Sequence, residues 1–120
     1  MDEFTRAYVE CALWSSRDGD SDTPLDRDYG VEDIAPETLE QIKSECAAFQ
    51  LAAGEVIDRD LSQAGVDFWL TRNGLGCGFW DGNWLFLTSY KRLRETLTLL
   101  AKSYQEYTLY VGDDGLIYGV

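Results

Sequence analysis

The sequence contains no histidine, only three cysteines and two prolines, and no long apolar run. Without histidine the chain cannot build a Ser-His-Asp or Cys-His nucleophile system, an HExxH zinc site or an imidazole acid-base catalyst. Only carboxylate chemistry remains, and no carboxylate pair has a spacing that requires it. We therefore expect a protein that is not an enzyme and that carries no metal and no cofactor.

The cysteines also indicate a compartment. Cys11, Cys46 and Cys77 are widely spaced and odd in number, which disfavours both a disulfide framework and a cysteine zinc cluster. The start MDEFTRAYVE lacks the features of a signal peptide, and no apolar run approaches the roughly 20 residues of a membrane span. With 45% hydrophobic residues, the chain can bury a core. We expect a single domain, 1–120, in a reducing cytoplasm.

Charge is abundant and unevenly placed. The formal net charge is -12, from 22 acidic and 10 basic residues. Residues 18 to 60 contain 13 acids against only Arg27, Lys43 and Arg59. Twelve of these acids form the predicted partner-binding set: Asp18, Asp20, Asp22, Asp26, Asp28, Glu32, Asp33, Glu37, Glu40, Glu45, Asp58 and Asp60.

The first half of the chain has helical patterning. Apolar residues at helical spacing predict a first helix over residues 3–15, followed by a solvated loop from Arg17 to Gly30. A second helix is expected from Pro36, a residue suited to a first helical turn, to about Arg59. Gly54 is expected to break or bend it.

The second half has hairpin signals. β-favouring residues from Val66 onward flank Asn73-Gly74, and a second pair of short runs flanks Asp114-Gly115. Between them we expect a third helix that begins between Asn83 and Leu93. The predicted fold is α+β, in the order α-α-β-β-α-β-β, with a four-stranded antiparallel sheet and helices on one face.

Four segments, AYVECALWSS, DYGVEDIAPETL, DFWLTRNGLGCGFWD and LYVGDDGLIYG, resemble in this order a family of small acidic uncharacterised proteins encoded by bacteriophages, prophages and plasmids. The family hairpin usually reads close to RNGHGAGFWD, so Leu75 stands in place of a histidine and Cys77 in place of an alanine. The resemblance implies a mobile-element origin and an accessory role. It supplies no catalytic residues.

Two weaker motifs have simpler explanations. The acids between residues 18 and 26 match part of a calcium loop but lack its glycine and its final glutamate, so a solvated loop is favoured. The run Gly74, Gly76 and Gly78 lacks the lysine of a phosphate-binding loop and is expected to serve a turn. With an isoelectric point near 4.1, direct binding of nucleic acid is disfavoured.

Two functional hypotheses remain. The first is a phage or mobile-element inhibitor of a bacterial defence system, of CRISPR or restriction type, whose acidic surface mimics nucleic acid and binds a basic nucleic-acid-binding host protein. The second is a protein-protein adaptor, or an assembly or regulatory protein, that acts through the aromatic hairpin and the WLFL segment. This second surface is also a candidate homodimer contact, and its candidate apolar interface is Trp80, Trp84, Leu85 and Phe86.

Overall fold

The computed structural model describes residues 1–19, 21–76, 78–79 and 91–120. These residues form four α-helices and one antiparallel two-stranded sheet, joined in part by short 3-10 turns. The helices are α1 (Glu3–Ser15), α2 (Pro36–Ala53), α3 (Leu61–Arg72) and α4 (Lys91–Ser103). The strands are β1 (Leu109–Val111) and β2 (Ile117–Gly119), and the 3-10 turns are Leu25–Arg27, Val31–Asp33 and Gly54–Asp60.

The predicted four-stranded antiparallel sheet with helices on one face is wrong. The described residues are mainly helical, and the segment predicted to begin a first hairpin at Val66 lies inside α3. Many of its buried positions are three or four residues apart, as expected for one side of a helix. The buried residues are Ala64, Gly65, Asp67, Phe68, Trp69, Thr71 and Arg72.

The Asn73-Gly74 pair ends this helix and does not turn a hairpin. Asn73 is the C-terminal cap of α3, and its amide donates to the carbonyl of Trp69. Gly74 follows with φ of 63°, a left-handed conformation that glycine adopts at little cost. Asn73-Gly74 therefore ends a helix. The sequence pattern alone does not distinguish a helix end of this kind from a hairpin turn.

The predictions for α1 and α2 are largely confirmed. Helix α1 ends at Ser15, and the side chain of Asp2 accepts a hydrogen bond from the Thr5 amide at its start. Helix α2 begins at Pro36 and ends before Gly54, whose φ of 74° breaks the α-helix, and the chain continues as a 3-10 turn. The loop before α2 is less solvated than predicted, because Leu25 is fully buried.

The C-terminal hairpin is confirmed. Strands β1 and β2 pair with Tyr110 opposite Tyr118. Asp114 holds the turn by accepting hydrogen bonds from the Leu116 amide, at 3.0 Å, and from the Tyr118 hydroxyl. The hydrogen bond from Tyr118 lowers the pKa of Asp114 and raises the pKa of Tyr118 to about 12.

Aromatic side chains from three helices fill the core. The ring of Phe49 stacks on that of Phe68, with centroids 4.2 Å apart, and on that of Phe79, with centroids 5.5 Å apart. Gly65 lets the backbones of α1 and α3 approach each other closely, since a Cβ there would overlap the carbonyl oxygen of Phe4. In the part of the chain that the structure describes, no helix is both long enough and apolar enough to cross a membrane.

Candidate functional site

Most of the predicted partner-binding acids are exposed. Among the described residues, eight of the set are solvent-exposed. Within the same residues, only one of these eight makes an ion pair, which joins Glu40 to Lys43 at 4.0 Å. An exposed pair at that distance contributes little to stability. The eight are Asp22, Asp26, Asp28, Glu32, Glu37, Glu40, Asp58 and Asp60, which we call the acidic surface.

Two predicted acids also stabilise local structure. Asp33 accepts a hydrogen bond from the Gly30 amide at 2.8 Å, and Asp60 caps α3 by accepting one from the Gln63 amide at 3.1 Å. Their removal would therefore weaken the fold as well as the surface charge. Asp18 is only half-exposed, and Asp20 lies outside the described residues.

Glu45 is a half-buried acid of the predicted set that pairs with a buried arginine. Its Oε1 atom accepts a hydrogen bond at 3.0 Å from Nη1 of Arg72, whose side chain is 2% exposed. The same Nη1 atom also donates to the hydroxyl of Tyr8 at 3.1 Å. Glu45 is therefore the counterion of a buried arginine, and a partner could reach it only by competing with Arg72.

Two further nitrogen atoms of Arg72 also donate hydrogen bonds. Its Nε and Nη2 atoms donate to the carbonyls of Gln105 and Tyr104, each at 2.8 Å. Its guanidinium lies over the rings of Phe68, Tyr104 and Tyr107 at 5.1 to 5.6 Å. Sequence reasoning missed this role, because a single arginine in an apparent strand carries no signal that it is buried.

The predicted apolar interface cannot be placed in the structure. Trp80, Trp84, Leu85 and Phe86 lie outside the described residues. The aromatic side chains that precede them, Phe68, Trp69 and Phe79, are at most 3% exposed and belong to the core. That part of the predicted aromatic surface is therefore unavailable to a partner.

A groove between α1 and α3 gathers acids from distant parts of the chain. It has a volume of about 820 Å³, and Asp26 and Asp60 of the acidic surface line it together with Glu3 and Glu10. Among the described residues that line it, Arg6 is the one cation. The predicted set omitted Glu3 and Glu10, although their seven-residue spacing places them on one side of α1.

Four partly buried apolar residues, which we call the floor of the groove, line it together with the polar Ser62 and Gln63. Ala7 and Cys11 contribute from α1, and Val66 and Leu70 contribute from α3. Trp14 lies at the groove with 62% of its surface exposed. The two walls are joined at one end by a 2.9 Å hydrogen bond from Ser62 to Glu3.

The groove does not present a reactive thiol. Burial, assisted by the nearby Asp67 carboxylate, raises the pKa of Cys11 to about 11. Asp67 is itself buried and accepts a hydrogen bond from Nε2 of Gln63 at 3.0 Å. A thiol that stays protonated at neutral pH is a poor nucleophile, so the arrangement favours binding over chemistry.

The chain was also compared with known proteins. No protein-family model, no curated protein and no solved structure matches it. Its function is therefore inferred from the acidic surface and the groove themselves.

Proposed function

We propose that this chain is a non-enzymatic inhibitor that binds a basic nucleic-acid-binding protein of a bacterial host. Its acidic surface takes the place of nucleic acid, and the partner belongs to a defence system of CRISPR or restriction type. The mobile-element origin and the cytoplasmic location are part of this proposal. They rest on the family resemblance of the sequence and on its cysteine usage.

The observation that carries the proposal is the exposure of the acidic surface without neutralising cations. Seven of its eight carboxylates make no ion pair within the described residues. Like charges repel one another and destabilise a compact state, so a fold gains nothing from concentrating them in one part of the chain. A cationic partner would remove that repulsion on binding.

The spacing of the carboxylates supports mimicry of nucleic acid. Glu37 and Glu40 lie one turn apart on α2, and side chains at this separation are about 5 to 6 Å apart. A nucleic-acid strand carries one charge per roughly 3.4 Å along its axis, so short rows of carboxylates approach its charge density. A basic channel that neutralises phosphates can therefore accept such a face.

The adaptor hypothesis gains no comparable support. Its WLFL segment lies outside the described residues, and the aromatic residues next to it are buried.

The test starts with capture of host proteins on the tagged chain at low and at high salt. The retained protein is then purified, and its affinity is measured for two variants with the same change of charge. The first variant, D28N/E37Q/D58N, alters acids of the acidic surface that no hydrogen bond uses. The matched control, E95Q/E106Q/D113N, alters three exposed acids elsewhere.

Mimicry requires the first variant to bind about 10-fold more weakly, since three surface charges at about 0.5 kcal/mol each sum to about 1.5 kcal/mol. The affinity of the control variant should fall by no more than about 2-fold. High salt should weaken the binding of both variants. Equal affinities of the two variants would contradict the proposal.

A further inference from the structure

The groove between α1 and α3 combines features that an acidic patch does not need. Carboxylates of Glu3, Glu10, Asp26 and Asp60 surround it, but its floor is apolar and Trp14 lies exposed beside it. A surface that only imitates phosphates has no use for an accessible tryptophan. The groove therefore requires an occupant with both charge and apolar surface.

The shape of the groove favours an α-helix. Its walls are two helices, and the lining residues recur along each at helical spacing, as in Ala7, Glu10 and Trp14 on α1 and Val66 and Leu70 on α3. Helix α1 has 13 residues and is therefore about 20 Å long. An amphipathic helix of three to four turns matches that length and lays its apolar face into such grooves.

The negative charge of the groove favours a positively charged occupant. Within the part of the chain that the structure describes, the groove is lined by four carboxylates and a single cation, Arg6. Lysine or arginine side chains that flank the apolar face of a docked helix would pair with these carboxylates. One of them would also lie over the exposed ring of Trp14 as a cation–π contact.

We propose that the α1–α3 groove binds a basic amphipathic α-helix of a partner protein, with aliphatic side chains on the floor and lysine or arginine at the rim. This inference goes beyond the proposed function. A docked helix needs the apolar floor, whereas mimicry of nucleic acid needs only the carboxylates.

The test uses two fluorescently labelled synthetic peptides of leucine and lysine, each about 14 residues long. In the first, leucines recur at i, i+3, i+4 and i+7 and form one face. The second has the same composition in a scrambled order without an apolar face. Fluorescence anisotropy measures the affinity of each peptide for the intact chain.

A pair of variants locates the binding. W14K changes the groove, and L51K makes the same charge change at a residue on α2 that is 86% exposed and does not line the groove. Circular dichroism confirms that each variant is folded. A second pair consists of E10Q in the groove and E55Q outside it. If W14K does not fold, this second pair tests by itself whether the peptide binds in the groove.

The native chain should bind the amphipathic peptide about 10-fold more tightly than the scrambled one. W14K should lose this preference and E10Q should weaken binding about 2-fold, whereas L51K and E55Q should leave the preference intact. Equal binding of the two peptides, or equal losses within each pair of variants, would overturn the inference. The proposed function fails separately, since its variant D28N/E37Q/D58N leaves the groove unchanged.

Discussion

Nη1 of Arg72 lies 3.0 Å from Oε1 of Glu45, and this pair joins α3 to α2 across the core. The arginine is nearly inaccessible to solvent, whereas the glutamate side chain is 23% exposed. Glu45 thus stabilises the fold, although it was predicted to bind a partner.

Loss of this carboxylate should destabilise the protein. We expect Glu45→Ala to lower the free energy of unfolding by about 3 kcal/mol, because it leaves the buried Arg72 charge without a counterion. Denaturation in urea measures the change. Glu40→Ala, at an exposed site on the same helix, should change it by no more than about 0.5 kcal/mol. Similar values for the two variants would show that the buried pair contributes little.

Substitution of Gly65 tests the close approach of α1 and α3. Glycine to alanine inside a helix normally stabilises by about 1 kcal/mol. Here the added Cβ would overlap the Phe4 carbonyl and lie 3.1 Å from the Tyr8 amide, so we expect Gly65→Ala to destabilise by about 2 kcal/mol or more. Thermal denaturation measures the change. Gly19→Ala is the control, because no described atom lies within 4 Å of the position of its Cβ. A stabilised Gly65→Ala variant would mean that the helices do not pack as described.

The cap of α1 should make stability depend on pH. Partial burial opposes the effect, but hydrogen bonds from Thr5 and Gln50 lower the pKa of Asp2. A carboxyl whose pKa is lowered by folding contributes stability that is full above its unfolded pKa of about 4 and is lost as pH falls through the folded value.

Asp2→Ala should therefore cost about 1 kcal/mol near neutral pH and less in acid. Urea denaturation at pH values above and below 4 measures the difference from the native chain. Leu51→Ala, at an exposed residue that has no carboxyl group, should show no such trend. A cost for Asp2→Ala that grew in acid would reverse the expected sign.

The two described thiols should be protected from alkylation. Burial raises the pKa of Cys46 to about 12, and burial with the Asp67 charge raises that of Cys11 to about 11. At pH 8 the thiolate fraction should fall about 100-fold or more below that of a free cysteine. Iodoacetamide should therefore modify both far more slowly in the folded chain than in urea, as peptide mass spectrometry can show for each cysteine. Modification of Cys11 at the unfolded rate would contradict its described environment.

Sequence predictions were correct where a local signal determines the structure and wrong where packing between distant segments determines it. Asp2, Pro36 and the Asp114-Gly115 turn act locally, so α1, the start of α2 and the final hairpin followed from the residues nearby. Asn73-Gly74 can turn a hairpin or end a helix, and only the packing of α3 against α1 decides between them.

The candidate site was predictable in composition but not in arrangement. The excess of acids between residues 18 and 60 was visible in the sequence, and most of the described ones are exposed. The groove was not predictable, because it brings Glu3 and Glu10 to Asp26 and Asp60 through contacts between distant segments. The interior role of Glu45 depends in the same way on Arg72.

The central claim is that the acidic surface occupies a site where the partner binds nucleic acid. The most direct test is competition for the captured host protein, which is first bound to labelled double-stranded DNA. This complex is titrated separately with the native chain, with D28N/E37Q/D58N and with the matched control E95Q/E106Q/D113N. We predict that the native chain and the control displace the DNA, while D28N/E37Q/D58N needs a concentration about 10-fold higher. DNA that stays bound at saturating native chain, or equal displacement by both variants, would contradict the claim.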